Sequence, residues 1–309
     1  MKTILIHPDV KGAEEFRNIL SNSLPLYNIT SSIEENELSD IDVVIIWRII
    51  PDYISKLPNL KLILSCGSGI DHLADLSPIP HHIPLIRLVD QYLRNRVSDY
   101  VLIQILEKYF PNLAFTDLVS DKQVIFEVLR KTNLNVGIMG LGIIGSNIAQ
   151  KLIAYGLRAS GWVNTQKERV ISDVYIGKSE LNIFAQSANI LVCQLPLTKE
   201  TKGILNTNLF THLPDGAFLI NVGRGAHLVE SDLLLGLENG KLSGACLDVL
   251  QAEPLPSGHP FQIVPTIKVT PHIAGYIGSD TQAPYACDVI KAYFESREIE
   301  GIVNYKSMY

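Results

Sequence analysis

Val136-Gly137-Ile138-Met139-Gly140-Leu141-Gly142-Ile143-Ile144-Gly145-Ser146-Asn147-Ile148-Ala149 is an apolar run that breaks into glycines and resumes with helical spacing. It reads as strand, tight turn and helix. In such a unit Gly140 makes the turn, Gly142 lets the backbone approach a pyrophosphate, and Gly145 lets the helix pack closely on its strand. The phosphate charge then faces the helix N-terminus. This is the G-x-G-x-x-G pattern of dinucleotide binding, although alone it also marks glycine turns in other α/β domains. Its context favours the first reading. From Val136 onward the pattern predicts further strands at Leu157–Val163, Val174–Ile176, Ile190–Gln194, Ala217–Val222, Gly244–Val249 and Thr266–Thr270. Short helical stretches separate them, as in a doubly wound parallel sheet.

About 135 residues precede the run, so another unit comes first. Strand-like runs at Thr3–His7, Val43–Trp47, Leu60–Ser65 and Ile83–Leu88 alternate with a helix at Ala13–Ser21 and a short one near Tyr53–Leu57. Such apolar runs suit buried parallel strands. A long helix over Arg94–Phe110 then carries the chain into the second unit, and one over Ser279–Glu295 leaves it. The last helix can return to the first unit. The expected division is 1–94 with 280–309, and 95–279.

With 309 residues the chain has material for about two domains. A hydrophobic content of 47% against 19% charged residues is that of a compact globular protein. The net charge of −6, with no Lys/Arg block, gives no sign of a nucleic-acid or membrane partner. Four scattered cysteines, Cys66, Cys193, Cys246 and Cys287, lack metal-ligand spacing, so reduced buried thiols and no metal are expected. Met1–Pro8 holds too short an apolar run for a signal peptide, and none of the ~20 residues needed to span a membrane occurs. The expectation is a soluble cytoplasmic protein.

Two groups of residues can carry chemistry. Cys66-Gly67-Ser68-Gly69-Ile70-Asp71-His72-Leu73 follows a strand, where open α/β sheets bind ligands. Its backbone N–H groups can form a nest for a carboxylate; the alternative is an ordinary βα turn. In the second half, Arg224, Glu253 and His272 each follow a predicted strand of one sheet. Reducing a 2-keto acid by hydride transfer requires a proton donor, a cation for the carbonyl and carboxylate oxygens, and a group that tunes the donor. His272 suits the first. Arg224 suits the second, because its planar fork bonds two oxygens and stays charged. Glu253 suits the third, since a carboxylate beside an imidazole orients the ring and favours its charged form. Singly, they also read as a surface ion pair, a loop charge and a helix cap.

Gly140–Gly145, Leu195-Pro196-Leu197-Thr198 with Thr201, Asn221–Gly225, Leu247–Pro254 and Pro271-His272 resemble, in type and order, the signatures of the D-isomer-specific 2-hydroxyacid dehydrogenases. Ala226-His227-Leu228-Val229-Glu230, Trp47 and Leu85-Ile86-Arg87-Leu88 are most similar to the glyoxylate/hydroxypyruvate reductase A branch. The resemblance implies two α/β domains, each a doubly wound parallel sheet, with a Rossmann nucleotide domain inserted into a smaller flavodoxin-like substrate domain. It implies reduction of a small 2-keto acid, glyoxylate or hydroxypyruvate, in the interdomain cleft of a homodimer. Arg224, Glu253 and His272 match the catalytic residues, Ser68 and Gly69 the amides that receive the substrate carboxylate, and Trp47 a wall of the substrate pocket. Gly140, Gly142, Ile143, Ile144, Gly145, Leu195, Pro196, Thr201, Val222, Gly223, Asp248 and Gly275 match the cofactor site. Two related readings differ in function, a nucleotide-sensing corepressor and a phosphoglycerate dehydrogenase. The first usually brings tails and the second a regulatory domain.

Three features depart from the family pattern. Asn189 replaces a frequent aspartate, residues 116–130 show little similarity to it, and Val163 occupies the acidic position after the second strand. An acid there bonds the ribose 2′-hydroxyl of NAD. Val163, 23 residues beyond Gly140, can do neither that nor repel a 2′-phosphate. Asn164 and Thr165 offer neutral donors and Lys167 or Arg169 a cation, so NADPH is expected to be preferred, with NAD possible.

Overall fold

The computed structural model describes residues 1–31, 35–48, 54–73, 76, 79–109, 134–165 and 171–305. In chain order the elements are β1 (Lys2–Ile6), α1 (Ala13–Ser23), β2 (Tyr27–Thr30), β3 (Ile41–Ile46), β4 (Leu62–Ser65), β5 (Leu85–Arg87) and α2 (Gln91–Tyr109). Then come β6 (Asn135–Met139), α3 (Ile143–Tyr155), β7 (Arg158–Val163), β8 (Val174–Ile176), α4 (Gly177–Ser187), β9 (Ile190–Cys193), α5 (Thr207–Phe210), β10 (Ala217–Asn221), α6 (Glu230–Glu238), β11 (Leu242–Leu247), β12 (Ile267–Val269) and α7 (Ser279–Phe294). The chain forms two compact units, Met1–Leu93 with Ile277–Tyr309, and Arg94–Tyr276.

The first unit holds a five-stranded parallel sheet ordered β2-β1-β3-β4-β5. Its central strands read as near-continuous apolar runs because both faces are covered. Ile4, Ile6, Val43, Ile45, Leu62 and Leu64 pack with Phe16 and Leu20 of α1 and with Ala283, Ala286, Cys287 and Ile290 of α7. Leu5, Val44, Ile46, Ile63 and Leu85 line the opposite face with Ile54, Leu57, Ile70 and Leu73. Each buried Val, Leu, Ile or Phe side chain contributes about 1.5–3 kcal/mol. Asp42, the polar residue of β3, is accommodated because it accepts Thr3 N–H at 2.9 Å and Lys61 Nζ at 2.6 Å.

The second unit holds a seven-stranded parallel sheet ordered β12-β11-β10-β9-β6-β7-β8. The chain starts in the middle at β6, runs outward through β7 and β8, then returns to lay β9 to β12 on the other side. The order therefore reverses at β6/β9, and ligands of doubly wound sheets bind at the carboxyl edge of such a switch point. Met139, Trp162, Phe184, Leu191, Cys193, Leu219 and Leu247 belong to one buried cluster on this sheet. Among the described residues, no helix is long and apolar enough to cross a membrane.

The two doubly wound α/β sheets are those expected. Several local expectations need correction. The edge strand β2 carries no continuous apolar run, only half-buried Tyr27, Ile29 and Thr30 around an exposed Asn28, and the pattern gave no sign of it. Trp47 lies one residue past β3 rather than on it. The strand ends there because the N–H groups of Trp47 and Arg48 turn to the Asp9 carboxylate, at 3.3 and 2.6 Å. The short helix expected near Tyr53–Leu57 lies partly outside the described residues; Ile54–Leu57 close a turn, with Leu57 N–H on Ile54 O. Residues 116–130 lie outside them altogether.

All four cysteines are free and buried. Burial pushes Cys66 and Cys193 from 9.0 up to about 12, and Cys246 to about 11. Their neutral thiols are poor nucleophiles, because only the thiolate attacks. The native protein at pH 8 should therefore release less than about one equivalent of colour with Ellman's reagent, and all four thiols should react rapidly in denaturant.

Candidate active site

The glycine turn sits between β6 and α3, at the switch point. Gly140 adopts φ 96°, a left-handed conformation that favours glycine, and a Cβ there would lie 2.7 Å from Gln194 O. Gly145 allows the closest approach: a Cβ would fall 1.8 Å from Gly140 O. Gly142 differs, because nothing lies within 4 Å of its missing Cβ and the residue is exposed. The outer face of the turn is bare backbone at the positive end of a 13-residue helix, a cradle that fits a pyrophosphate. Ile143 is half-buried and Ile144 buried. Asn189 keeps the bracing an aspartate would give here, since its Oδ1 accepts Asn135 N–H at 2.9 Å.

Three more strand ends flank this turn. β7 stops at Val163, leaving Asn164 and Thr165 exposed, while Lys167 lies outside the described residues. Beyond β9, Leu195 is buried and Pro196 exposed. The Pro196 carbonyl accepts Thr201 Oγ1 at 2.7 Å and His227 Nε2 at 3.2 Å. The Thr201 hydroxyl thus braces this loop.

Val222 and Gly223 follow β10 and lead to Arg224, which is half-buried. The turn is clamped by fully buried Asn221, whose Oδ1 accepts Gly223 N–H at 3.1 Å while Nδ2 donates to Arg224 O at 3.0 Å. His227 holds it from the other side. Its Nε2–H donates to the Pro196 carbonyl, so Nδ1 is the acceptor of Arg224 N–H at 3.0 Å. The guanidinium of Arg224 donates to Gly223 O at 2.7 Å. Gly225 packs this turn on the next loop, where a Cβ would lie 1.9 Å from the Leu250 carbonyl carbon.

That next loop carries Glu253. One carboxylate oxygen accepts Leu250 N–H at 2.9 Å and the other meets His272 Nδ1 at 2.9 Å. A carboxylate only accepts, so Nδ1 carries the hydrogen, and Nε2 is not part of this contact. Both side chains remain accessible, at 50% for His272 and 39% for Glu253. His272 itself has φ 54°, which costs a non-glycine residue about 1–3 kcal/mol. Asp248, 2% exposed, provides the restraint. Its backbone carbonyl accepts His272 N–H at 3.0 Å, and its two oxygens accept Ile273 N–H and Ala274 N–H, both at 2.9 Å. Thr270 Oγ1 adds a bond to the same carboxylate at 2.6 Å. Bonds to a charged acceptor contribute about 1.5–3 kcal/mol each, enough together to outweigh the strain. Thr270 has spent its proton, so the Tyr100 hydroxyl donates to Thr270 Oγ1 at 2.6 Å. Gly275 follows, half-buried.

In the first unit, Trp47 is 40% exposed beyond β3, and Ser68 and Gly69 are half-buried beyond β4. All three lie past the carboxyl ends of neighbouring parallel strands.

The sequence model of the D-isomer specific 2-hydroxyacid dehydrogenase NAD binding domain matches residues 116–274. The chain belongs to this family. The glyoxylate/hydroxypyruvate reductase A of Serratia proteamaculans is 35% identical over 281 residues, 89% of each chain, and that of Yersinia enterocolitica 31% over 98% of each. Among solved structures, an NADPH-dependent glyoxylate/hydroxypyruvate reductase of Sinorhizobium meliloti, in complex with NADP and sulfate, superposes with a TM-score of 0.81 at 32% identity over the whole of both chains. A dehydrogenase of the same family from Xanthobacter autotrophicus, in complex with NADPH and MES, gives 0.84 at 26% identity, covering 100% of this chain and 99% of the other.

In this dehydrogenase, sequence reasoning assigned no role to His227, Asn221, Thr270 or Tyr100. His227 stood inside a quoted motif, and a histidine two residues after Arg224-Gly225 was the available signal. Tyr100 had none, because it is 170 residues from its partner.

The glycines separate packing from binding. Gly145→Ala must displace α3 from the turn and is expected to cost at least about 1–3 kcal/mol, read from urea midpoints. Gly142→Ala meets nothing, so stability should stay within about 0.5 kcal/mol while nucleotide affinity falls.

Proposed function

We propose that this dehydrogenase reduces a small 2-keto acid, glyoxylate or hydroxypyruvate, to the D-2-hydroxy acid, with NADPH as reductant. The observation that carries the reading is the 2.9 Å contact between Glu253 and His272 Nδ1, on the sheet edge that also bears the glycine turn. It leaves His272 Nε2 to act as proton donor. When bound, the nicotinamide supplies a hydride to the carbonyl carbon. As negative charge grows on the carbonyl oxygen, His272 delivers the proton and Arg224 stabilises the charge with its guanidinium, a task suited to a fixed planar donor. Glu253 holds the imidazole in one tautomer and offsets the charge it carries before transfer. Ser68 and Gly69 N–H groups take the carboxylate, and Trp47 limits the size of the acid.

The names of the relatives support the substrate class. The complexes of the Sinorhizobium and Xanthobacter proteins with NADP and NADPH support the cofactor. So does the end of β7, where Val163 neither bonds a ribose 2′-hydroxyl nor repels a 2′-phosphate, and exposed Asn164 and Thr165 follow. Family resemblance further supports a cytoplasmic homodimer joined through its nucleotide domains.

Steady-state assays test the reading. His272→Ala is expected to lower kcat roughly 10²–10⁴-fold, the range of a general acid, with little change in NADPH affinity. Near-normal turnover of this variant on glyoxylate and hydroxypyruvate would remove His272 from the mechanism. For the cofactor, the parent should give a higher kcat/KM with NADPH than with NADH. Val163→Asp should move that ratio toward NADH by about tenfold, roughly 1.4 kcal/mol, and an unmoved ratio would show that this loop does not read the phosphate.

A further inference from the structure

In the turn after β4 the carbonyls are occupied and two N–H groups are not. Gln282 on α7 donates Nε2 to Cys66 O at 2.9 Å, and Arg87 at the end of β5 donates Nη1 to Ser68 O at 3.2 Å. Gly67 N–H is directed to Ser65 Oγ at 3.3 Å. Among the described residues, the N–H groups of Ser68 and Gly69 have no acceptor. In a trans peptide the C=O and N–H of one linkage point in opposite directions. A side chain that holds the Ser68 carbonyl therefore also aims the Gly69 N–H away from itself.

Arg87 has no other evident employment. The register places it beside Ser65 on the adjacent strand, at the carboxyl edge of the sheet. Its Nε is buried with no partner, and among the described residues its side chain's hydrogen bond is the one to Ser68 O. Burial lowers its pKa, with no carboxylate acting to raise it again. A guanidinium withdrawn from water without a counter-ion is costly in a fold that needs it only for packing. Its field instead favours an anion nearby, at the free N–H groups.

We propose that Arg87 is the positioning residue of the carboxylate-binding turn: by holding Ser68 O it points Gly69 N–H at the substrate carboxylate, and its unpaired charge adds to the attraction. Gln282 fixes the preceding Cys66–Gly67 linkage by hydrogen bonding alone, with its N–H kept on Ser65 Oγ. The inference rests on the reading that Ser68 and Gly69 receive the carboxylate. Because the effect is on binding rather than on proton or hydride transfer, it belongs in KM and in the affinity of unreactive carboxylates.

The probe is oxamate, a carboxylate that cannot be reduced, titrated into the protein with NADPH bound. Arg87→Gln is expected to weaken oxamate by about tenfold, roughly 1.4 kcal/mol, and to raise KM for glyoxylate in parallel, with kcat within about threefold and NADPH affinity unchanged. Arg87→Lys, which keeps the charge and one donor, should recover most of the loss. A folded Arg87→Gln protein that binds oxamate within threefold of the parent overturns the proposal, as does a loss that Arg87→Lys leaves untouched. Should Arg87→Gln not fold, Arg87→Met, which likewise removes the charge and the donor to Ser68 O, replaces it, with oxamate weakened about tenfold at constant kcat expected and unchanged affinity overturning the proposal. Amide NMR of protein labelled at serine and glycine isolates the underlying reading. If oxamate binds the parent without shifting the Ser68 and Gly69 resonances, the turn is not the carboxylate site. If they shift and Arg87→Gln binds equally well, the turn stands and Arg87 has no part in it.

Discussion

Among the described residues every strand-to-strand ladder in the two sheets is parallel, apart from an isolated antiparallel bridge of Ile302 on β5, and that constraint governs where chemistry can be placed. A parallel ladder puts the carboxyl end of every strand on one edge, so the loops leaving neighbouring strands are forced together. Residues more than a hundred positions apart thereby become neighbours at no cost beyond folding the sheet. In the second unit this edge carries Gly140, Pro196, Arg224, Asp248 and His272, one from each of five strands. In the first it carries Trp47, Ser68 and Arg87. The sheet supplies proximity but not aim.

Aim comes from buried polar clamps beneath the exposed groups. Asn221 and His227 grip the backbone on either side of Arg224, while Asp248 grips the three residues that begin with His272. A buried carboxylate or imidazole costs free energy unless its hydrogen-bonding capacity is met. Here it is met by backbone N–H and C=O groups of the loops themselves, with the Thr270 hydroxyl on Asp248, so the same bonds both satisfy the clamp and immobilise the loop. The left-handed backbone of His272 is tolerated for this reason. It turns the ring so that Nδ1 reaches Glu253.

The fold was legible where a residue type admits few explanations. Gly140 and Gly145 are required by a positive φ and by a 1.8 Å approach, and a chain with glycines at that spacing after an apolar run has little else it can do. Long apolar strands such as β3 and β10 were equally plain. β2 was not, because an edge strand of four half-exposed residues needs no apolar pattern and exists through its ladder with β1. The acid–base pair was legible as residue types that suit a reaction, Glu253 and His272, although nothing in their spacing of 19 fixes a 2.9 Å contact. The clamps were illegible as such. Asp248 reads equally as a ligand of the cofactor or as a brace, and only the positions of Thr270, Ile273 and Ala274 show that its oxygens are already taken by the protein.

The same logic explains how a chain of net charge −6 can be built to receive anions. A basic surface is unnecessary when backbone dipoles are pre-aligned, because an N–H fixed by folding does not have to be reoriented as the anion binds. α3 presents its N-terminus behind the uncovered Gly142, and the turn after β4 presents Ser68 and Gly69 N–H with the intervening carbonyl held back by Arg87. Dipoles bind without a mobile side chain to order, so little conformational entropy is lost. In the proposed reaction full charges are then needed at few places: at Arg224, beside the carbonyl oxygen, and at Arg87, where a guanidinium bonds the Ser68 carbonyl. Distributing the work in this way lets the rest of the surface stay acidic while each anion still meets a positive local field.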